Sequence, residues 1–335
     1  MTLRSLLGRL LNILVTLFGV AVVVFVVIRV APGNPIAMML LPGASEADID
    51  RLRALYGLDK SLVEQFVIWL GGILRGDFGT SISLRQDVLG VVLGRLPATL
   101  ELAFAALVIA VVLGFALAIL GTRRRQSATE GAIDLWNGIT LSIPDFLWGL
   151  LFILVLGVAI PLFPVSGRIS PRIDIDYVTN FYLFESILRF DGAVLRDLLA
   201  HMALPAIALG LPLSAVIAQV LKQSLKEVMG LDYVMLARAK GFGEFAVIWR
   251  EAMRNAMLPT LTLVGGQFTF LIGGTVIIEK LFSYEGLGNL AIDAVINRDL
   301  PLIQGIVLLF SVLFIAINIA VDLAYAALNP RLRHG

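Results

Sequence analysis

Of the 335 residues, 59% are hydrophobic and only 15% are charged, against roughly a quarter charged in soluble domains, so most of the exterior must face lipid. The formal net charge of +1 supplies no field that would recruit nucleic acid. Cysteine is absent, which excludes disulfides, thiolate metal sites and thiol catalysis.

A helix needs roughly 20 mostly apolar residues to cross the hydrocarbon. Uncharged runs of that kind cover 10–28, 102–122, 146–167, 198–221, 255–278 and 300–321. The expected fold class is therefore all-α, a polytopic membrane protein of about six transmembrane helices. The first run reads as a span and not as a cleavable signal peptide. Its apolar stretch is too long, and Arg29-Val30-Ala31-Pro32 is a poor cleavage site.

The segment after the first run, 32–97, is longer than a simple connection. Pro32-Gly33-Asn34-Pro35 should stop the first helix. Ser45 and Asp48 then resemble a capping box, followed by Ile49, Leu52, Leu55 and Tyr56 on one face. After Gly57 the design repeats, with Leu62, Phe66, Trp69, Leu70 and Ile73 at helical spacing. Both stretches are expected to be amphipathic helices at the outer membrane surface, either with a role of their own or as a cover for the bundle. The expected division is 1–97, a first helix with its outer segment, and 98–335, a core of five helices.

A second outer loop, 161–198, mixes Pro164, Gly167 and Pro171 with five acidic residues, and Tyr177, Phe181, Tyr182 and Phe184 supply aromatic anchors. Composition leaves two readings open, a docking surface or an inert connector. The segment 225–257 is more distinctive. It carries Asp232-Tyr233-Val234-Met235-Leu236-Ala237-Arg238-Ala239-Lys240-Gly241-Phe242, then a helical stretch from Glu244 to Met257 closed by Pro259. Gly241 and Gly243 mark a break between two short helices, an arrangement suited to resting against another protein. Ala237 and Ala239 would keep that surface low, and Arg238 and Lys240 would offer it charge.

Lys and Arg set the orientation. Arg4, Arg9, Arg123-Arg124-Arg125, Lys222, Lys226, Arg238, Lys240, Arg250, Arg254, Arg331 and Arg333 all fall on one side if the spans alternate. Both termini are therefore expected in the cytoplasm.

Catalytic signatures are missing. His201 and His334 are too far apart to form a local metal pair, and no Gly-Lys dipeptide exists from which a phosphate-cradling loop could be built. Polar residues at membrane depth draw attention because each needs a partner or water. Asp145 follows Pro144 well inside the third run, and Gln219, Gln267, Asn318 and Asp322 lie at similar depth. Asp145, Gln219 and Gln267 are candidates for a translocation pathway, with hydrogen bonding between helices as the alternative. His201 reads as an interfacial cap.

The segment at Asp232 resembles the cytoplasmic loop of bacterial ABC-importer permeases, in the branch handling dipeptides, oligopeptides, nickel and glutathione. That branch shows D-Y-x-x-x-A-R-A-K-G and later R-N-A-x-x-P, here Asp232-Tyr233 with Ala237 to Gly241, then Arg254-Asn255-Ala256 with Pro259. The likeness extends to Tyr56-Gly57-Leu58-Asp59-Lys60, Gln65, Trp69, Gly76 to Ser81 and Arg95 to Leu102. It continues through Pro164 to Arg168, Glu279, Phe282-Ser283, Gly286-Leu287-Gly288, Asp322, Tyr325 and Asn329-Pro330-Arg331. The wider family's loop opens Glu-Ala-Ala where Met235-Leu236-Ala237 stand here, and its Leu-Pro is replaced by Met253-Arg254, both usual in the peptide branch. Glu285 stands where the family commonly carries proline, which leaves the local turn in question.

The resemblance implies one of two permease subunits in a multi-pass bacterial inner-membrane importer. A second permease subunit, two ATPase subunits or domains and an extracytoplasmic solute-binding protein would be the partners. Asp232, Tyr233, Ala237, Arg238, Ala239, Lys240, Gly241 and Phe242 would couple to the ATPase. No cofactor is expected on this chain, with ATP and Mg on the partner ATPase subunits. The alternative is a self-sufficient secondary transporter or channel, although no clear internal repeat supports it.

Overall fold

The computed structural model describes residues 3–30, 59–124 and 126–328. The turn expected at Pro32 to Pro35, the first outer helix from Ser45 to Tyr56 and the terminal Asn329-Pro330-Arg331 lie outside the described residues, as does the side chain of Asp322. No strand occurs among the described residues, and an isolated bridge joins Thr80 to Asp87.

The main helices are α1 (Leu3–Val30), α2 (Leu62–Leu74), α3 (Val88–Arg123), α4 (Ala128–Ser142), α5 (Asp145–Phe152), α6 (Tyr182–Leu188), α7 (Gly192–Val228), α8 (Asp232–Ala239), α9 (Met253–Leu281, entered through a turn at Glu244–Ala246 and a π-helix at Val247–Ala252), α10 (Leu287–Ile296) and α11 (Leu300–Leu328). Four stretches are long and apolar enough to cross a membrane, namely α3, α7, 244–281 and 300–321. The bent pair α4 and α5 makes a fifth, and α1 carries a shorter apolar stretch, Leu11–Val27. The chain forms two units, one from the described parts of 1–96 and 290–316, the other from 97–289 and the described part beyond 317.

In the second unit, α7 is central and buried along much of its length despite Pro205 and Pro212. Small residues let its neighbours approach, as expected where helix association rests on close packing. A Cβ on Gly210 would stand 2.7 Å from the Ala106 carbonyl of α3, and one on Gly114 would stand 2.7 Å from Ile217. A core of Leu102, Ala106, Met202, Leu204, Leu209, Ile217 and Ile278 fills the interior together with the large rings of Trp148, Phe282 and Tyr284.

The third apolar run departs from a straight span. α4 and α5 meet at 99°. Ile143 is extended (φ −104°, ψ 121°) and Pro144 caps α5 without a side-chain bond, because a residue before proline is pushed out of the helical region. The helix continues from Ile153 to Ala159 with π-type bonding and ends there, short of the apolar run's end at 167.

In the first unit, α2 opens on a capping box, Ser61 with Glu64. Its inner face meets α1 through aromatic rings, with Phe66 5.2 Å from Phe25 and Trp69 5.6 Å from Phe25. The opposite face is apolar as well, since Val63, Val67 and Ile68 are exposed. A helix apolar on both sides is suited to immersion in hydrocarbon.

Candidate functional site

The segment between α7 and α9 is a two-faced hairpin. On α8, Val234 and Ala237 lie three residues apart, so they share a face. Both are buried against Val247, Ile248, Ala252 and Met253, with Leu221, Leu225 and Met229 at the end of α7. Gly241 ends α8 in the left-handed region (φ +82°), its N–H donating to the Arg238 carbonyl at 2.9 Å. Glycine takes that conformation without the clash a Cβ would cause. Across the turn, Arg238 Nη2 donates to Glu244 Oε1 at 2.7 Å and Nε to Oε2 at 3.3 Å. Asn255 Nδ2 donates to the Tyr233 hydroxyl at 2.7 Å, tying α8 to the start of α9.

The other face is open. Met235, Leu236, Phe242, Phe245 and Trp249 are exposed, the last two rings lying parallel at 6.5 Å. Asp232, Ala239 and Lys240 are exposed with them. The structure therefore redistributes the roles expected of this segment. Ala237 serves the chain's own core, and Arg238 already holds Glu244, while Ala239, Lys240 and Phe242 remain on the outer surface.

Of the pathway candidates, Asp145 begins α5 at the helix break, half-buried, with Oδ1 accepting from the Phe146 N–H at 2.7 Å. Its Oδ2 would stand 3.7 Å from a Cβ on Gly274 of α9. Gln267 of α9 is half-buried, whereas Gln219 is exposed on α7. Asp145 thus sits against α9, and Gln219 turns out of the bundle. His201 is buried, its Nδ1 2.9 Å from the Asp197 carbonyl.

Four carboxylates anchor the loops, three of them near the ends of apolar runs and one, Glu185, within a loop helix. Glu279, fully buried, accepts from Thr99 Oγ1 at 2.7 Å and from the N–H groups of Gly288 and Asn289 at 2.7 and 3.1 Å. It caps the N-terminus of α10, where unpaired N–H groups favour a negative charge. Thr99 Oγ1 also accepts from Leu287 N–H at 2.8 Å. The glycines of Gly286-Leu287-Gly288 follow directly, since a Cβ would stand 2.3 Å from the Glu279 carboxylate at 286 and 2.4 Å from Val276 Cα at 288. The turn forms with Glu285 exposed, so proline is not required there.

Glu101 does the same for the second outer loop. It pairs with Arg168 at 2.7 Å and accepts from Leu183 N–H at 2.8 Å, both charged side chains being 6% exposed. Arg168 also donates to the Asn180 carbonyl at 2.7 Å and lies 4.0 Å from the centroid of the Tyr182 ring. Glu185 gathers Val178 and Thr179 N–H, Thr179 Oγ1 and Arg189. Burial opposes its charge, but these hydrogen bonds outweigh it and hold its carboxyl at about 2. In the first unit, Asp299 accepts from Ser81 Oγ at 2.6 Å and from Ser83 N–H and Oγ at 2.9 and 2.7 Å. Burial again opposes, and the serine bonds keep this carboxyl below the usual range. On the other side of the second unit, Lys222 and Lys226 at the end of α7 pair with Glu130 of α4 at 3.4 and 2.8 Å, and Lys222 also pairs with Asp134.

None of these pairings was legible in advance. Glu279, Thr99, Glu101, Arg168 and the Gly-Leu-Gly stretch each carried the family resemblance separately. They prove to be one another's partners.

Taken together, the spans, the fastened loops and the open-faced hairpin define a multi-pass helical membrane subunit of a transport system. The chain belongs to the family of binding-protein-dependent transport system inner membrane components, whose models match residues 110–334 and, for the N-terminal part, 2–103. It is 37% identical over 334 residues to the di/tripeptide transport system permease protein DppB of Pseudomonas aeruginosa, covering 98% of this chain and 99% of that one. Identity to the dipeptide transport system permease protein DppB of Escherichia coli K12 is also 37%, over 99% of both chains. The oligopeptide transport system permease protein AppB of Bacillus subtilis is 33% identical over 95% of each. Among solved structures, the inward-facing MetNI methionine ABC transporter shares the fold, with a TM-score of 0.53 at 15% identity over 69% of this chain and 93% of that one.

Proposed function

We propose that the chain forms, with a second permease subunit, the membrane pathway of an ATP-driven importer of peptides. Substrate would be delivered by an extracytoplasmic binding protein, and hydrolysis would occur on two ATPase subunits carrying ATP and Mg. The peptide assignment draws on the substrates named for the relatives. The orientation draws on the Lys and Arg bias, with both termini cytoplasmic. The observation that carries the coupling role is the division of the α8 hairpin. One face is fixed in the chain's own core by Val234 and Ala237, and the other exposes Met235, Leu236, Phe242 and Phe245. Apolar side chains on a segment otherwise rich in charge mark a protein-binding surface. Because its inner face is packed, the hairpin transmits force from a partner to α7 and α9, so closure of the ATPase can switch the bundle between two packings.

Asp145 is proposed to line the pathway, offering a carboxylate to a peptide ammonium at the helix break, where a broken helix gives a transporter its polar lining.

The test of coupling is Gly241→Val. Space around Gly241 is open, so the penalty is confined to its positive φ, on the order of 1–2 kcal/mol. The variant should insert normally and show ATP hydrolysis uncoupled from peptide uptake or weakened ATPase docking. Wild-type coupling in Gly241→Val, together with no loss of ATPase binding in Met235→Asp, would defeat the assignment.

A further inference from the structure

The first unit contains a cavity of about 380 Å³ between α1, α2, the start of α3 and α11. Its walls include Leu17 and Phe18 of α1, Leu70 and Leu74 of α2, and Leu309 and Val312 of α11, and every side chain lining it is apolar. Water has nothing to bond to there, and left empty an apolar cleft of this kind, open at Phe18, Leu74 and Val312, forfeits dispersion contacts along its lining. At roughly 30 Å³ per water-sized group, the volume holds about a dozen methylene-like groups. Along α11 the lining runs from Gly305 to Val312, about 10 Å at the helical rise of 1.5 Å per residue. A slot of that length and bore suits a single hydrocarbon chain.

Two further observations identify the source of that chain. On the helix walling the cavity, the exposed Val63 and Val67 share a face with the lining residues Leu70 and Leu74 at i, i+4, i+7 and i+11, so the apolar lining continues outward onto a surface suited to hydrocarbon. At the rim, Leu74 is 80% exposed, and the next residue, Arg75, is the exposed C-cap of α2 and makes no ion pair among the described residues. The neighbouring Asp77 is engaged locally, its Oδ1 accepting from Gly79 N–H at 2.9 Å. We infer that this cavity holds one acyl chain of a membrane glycerophospholipid, with the lipid phosphate on the Arg75 guanidinium. A guanidinium recognises phosphate oxygens bidentately, so the tail fills the slot and the headgroup fixes the lipid at its mouth.

The test uses the full chain in its assembled complex, reconstituted in nanodiscs of phosphatidylethanolamine and phosphatidylglycerol doped with an acyl-diazirine phospholipid. Crosslinks are mapped by mass spectrometry. Labelling of the α1, α2 and α11 wall should exceed by at least threefold that of α3 around Val112, which is exposed in the ordinary way. Leu309→Trp should cut wall labelling at least threefold and leave Val112 unchanged, with Leu17→Phe as the substitute if the first variant fails to insert. Arg75→Gln should lower labelling by the phospholipid probe but not by a diazirine fatty alcohol, which has no phosphate. Wall labelling no higher than at Val112, labelling indifferent to the filling variants, or crosslinks joining the wall to a helix of another subunit would overturn the inference. Equal sensitivity of both probes to Arg75→Gln would overturn the headgroup assignment.

Discussion

Arg168→Met removes one half of a buried ion pair and leaves the other in place. Glu101 is then a carboxylate at 6% exposure whose remaining strong partner is the Leu183 N–H at 2.8 Å. Breaking a buried pair by deleting one member costs about 3–5 kcal/mol. The same change removes a cation 4.0 Å from the Tyr182 ring centroid, which contributes about 1 kcal/mol, and the bond to the Asn180 carbonyl. These losses share one side chain and do not add, so the expected destabilisation is about 4 kcal/mol. At roughly 2–4 °C per kcal/mol for a domain of this size, the thermal midpoint of the detergent-purified protein should fall by about 10 °C. Glu101→Met combined with Arg168→Met removes the stranded charge. It should recover at least half of the loss, retaining about 1 kcal/mol for the lost cap of α6. A midpoint for Arg168→Met within 2–4 °C of wild type, or a double variant as unstable as the two single changes summed, would refute this reading of the pair.

Gly288→Ala should prevent stable assembly of α9 with α10, since its Cβ would meet Val276 Cα at 2.4 Å and backbone cannot yield cheaply. Gly266→Ala in the same region has no atom within 4 Å and should be neutral or stabilising by up to about 1 kcal/mol, as a thermal shift assay of both variants would report. The second outer loop should be acid-sensitive through Glu185. Its folded carboxyl lies at about 2 against an ordinary 4.5, so its contribution is complete above 4.5 and disappears as pH falls through 2. Hydrogen exchange at Val178 and Thr179 should therefore accelerate with acid in the wild type and be pH-independent, apart from intrinsic exchange, in Glu185→Gln. Single cysteines at the exposed positions Asp176 and Gln126 test orientation against a background without native cysteine. Impermeant reagent applied from outside should label the first and spare the second, and the reverse pattern would invert the topology.

The bilayer made the spans legible, because hydrocarbon demands apolar runs whatever the tertiary structure does with them. The hairpin's two-faced character was only half legible. The break at Gly241 could be read from glycine, but Ala237 and Ala239 look alike in sequence and only packing sends the first inward. Pro144 signalled a weakened helix ladder, yet the 99° turn between α4 and α5 depends on α4, whose Glu130 and Asp134 disqualify it as an apolar run. The carboxylate anchors were the least legible. Glu279 bonds Thr99 across 180 positions, Glu101 bonds Arg168 across 67 and Asp299 bonds Ser81 across 218. No local periodicity encodes a pairing over such separations, whereas burial of a lone charge at the end of a span does signal that a partner must exist.

Uptake in proteoliposomes tests the importer assignment most directly. The chain would be reconstituted with its second permease subunit, its ATPase subunits and its cognate binding protein, and accumulation of a radiolabelled dipeptide would be followed. Accumulation should require both ATP and the binding protein and should fall severalfold with Gly241→Val, while ion gradients alone should drive none. Dipeptide uptake by this chain alone under a proton or sodium gradient, or ATP hydrolysis that proceeds identically without it, would contradict the assignment.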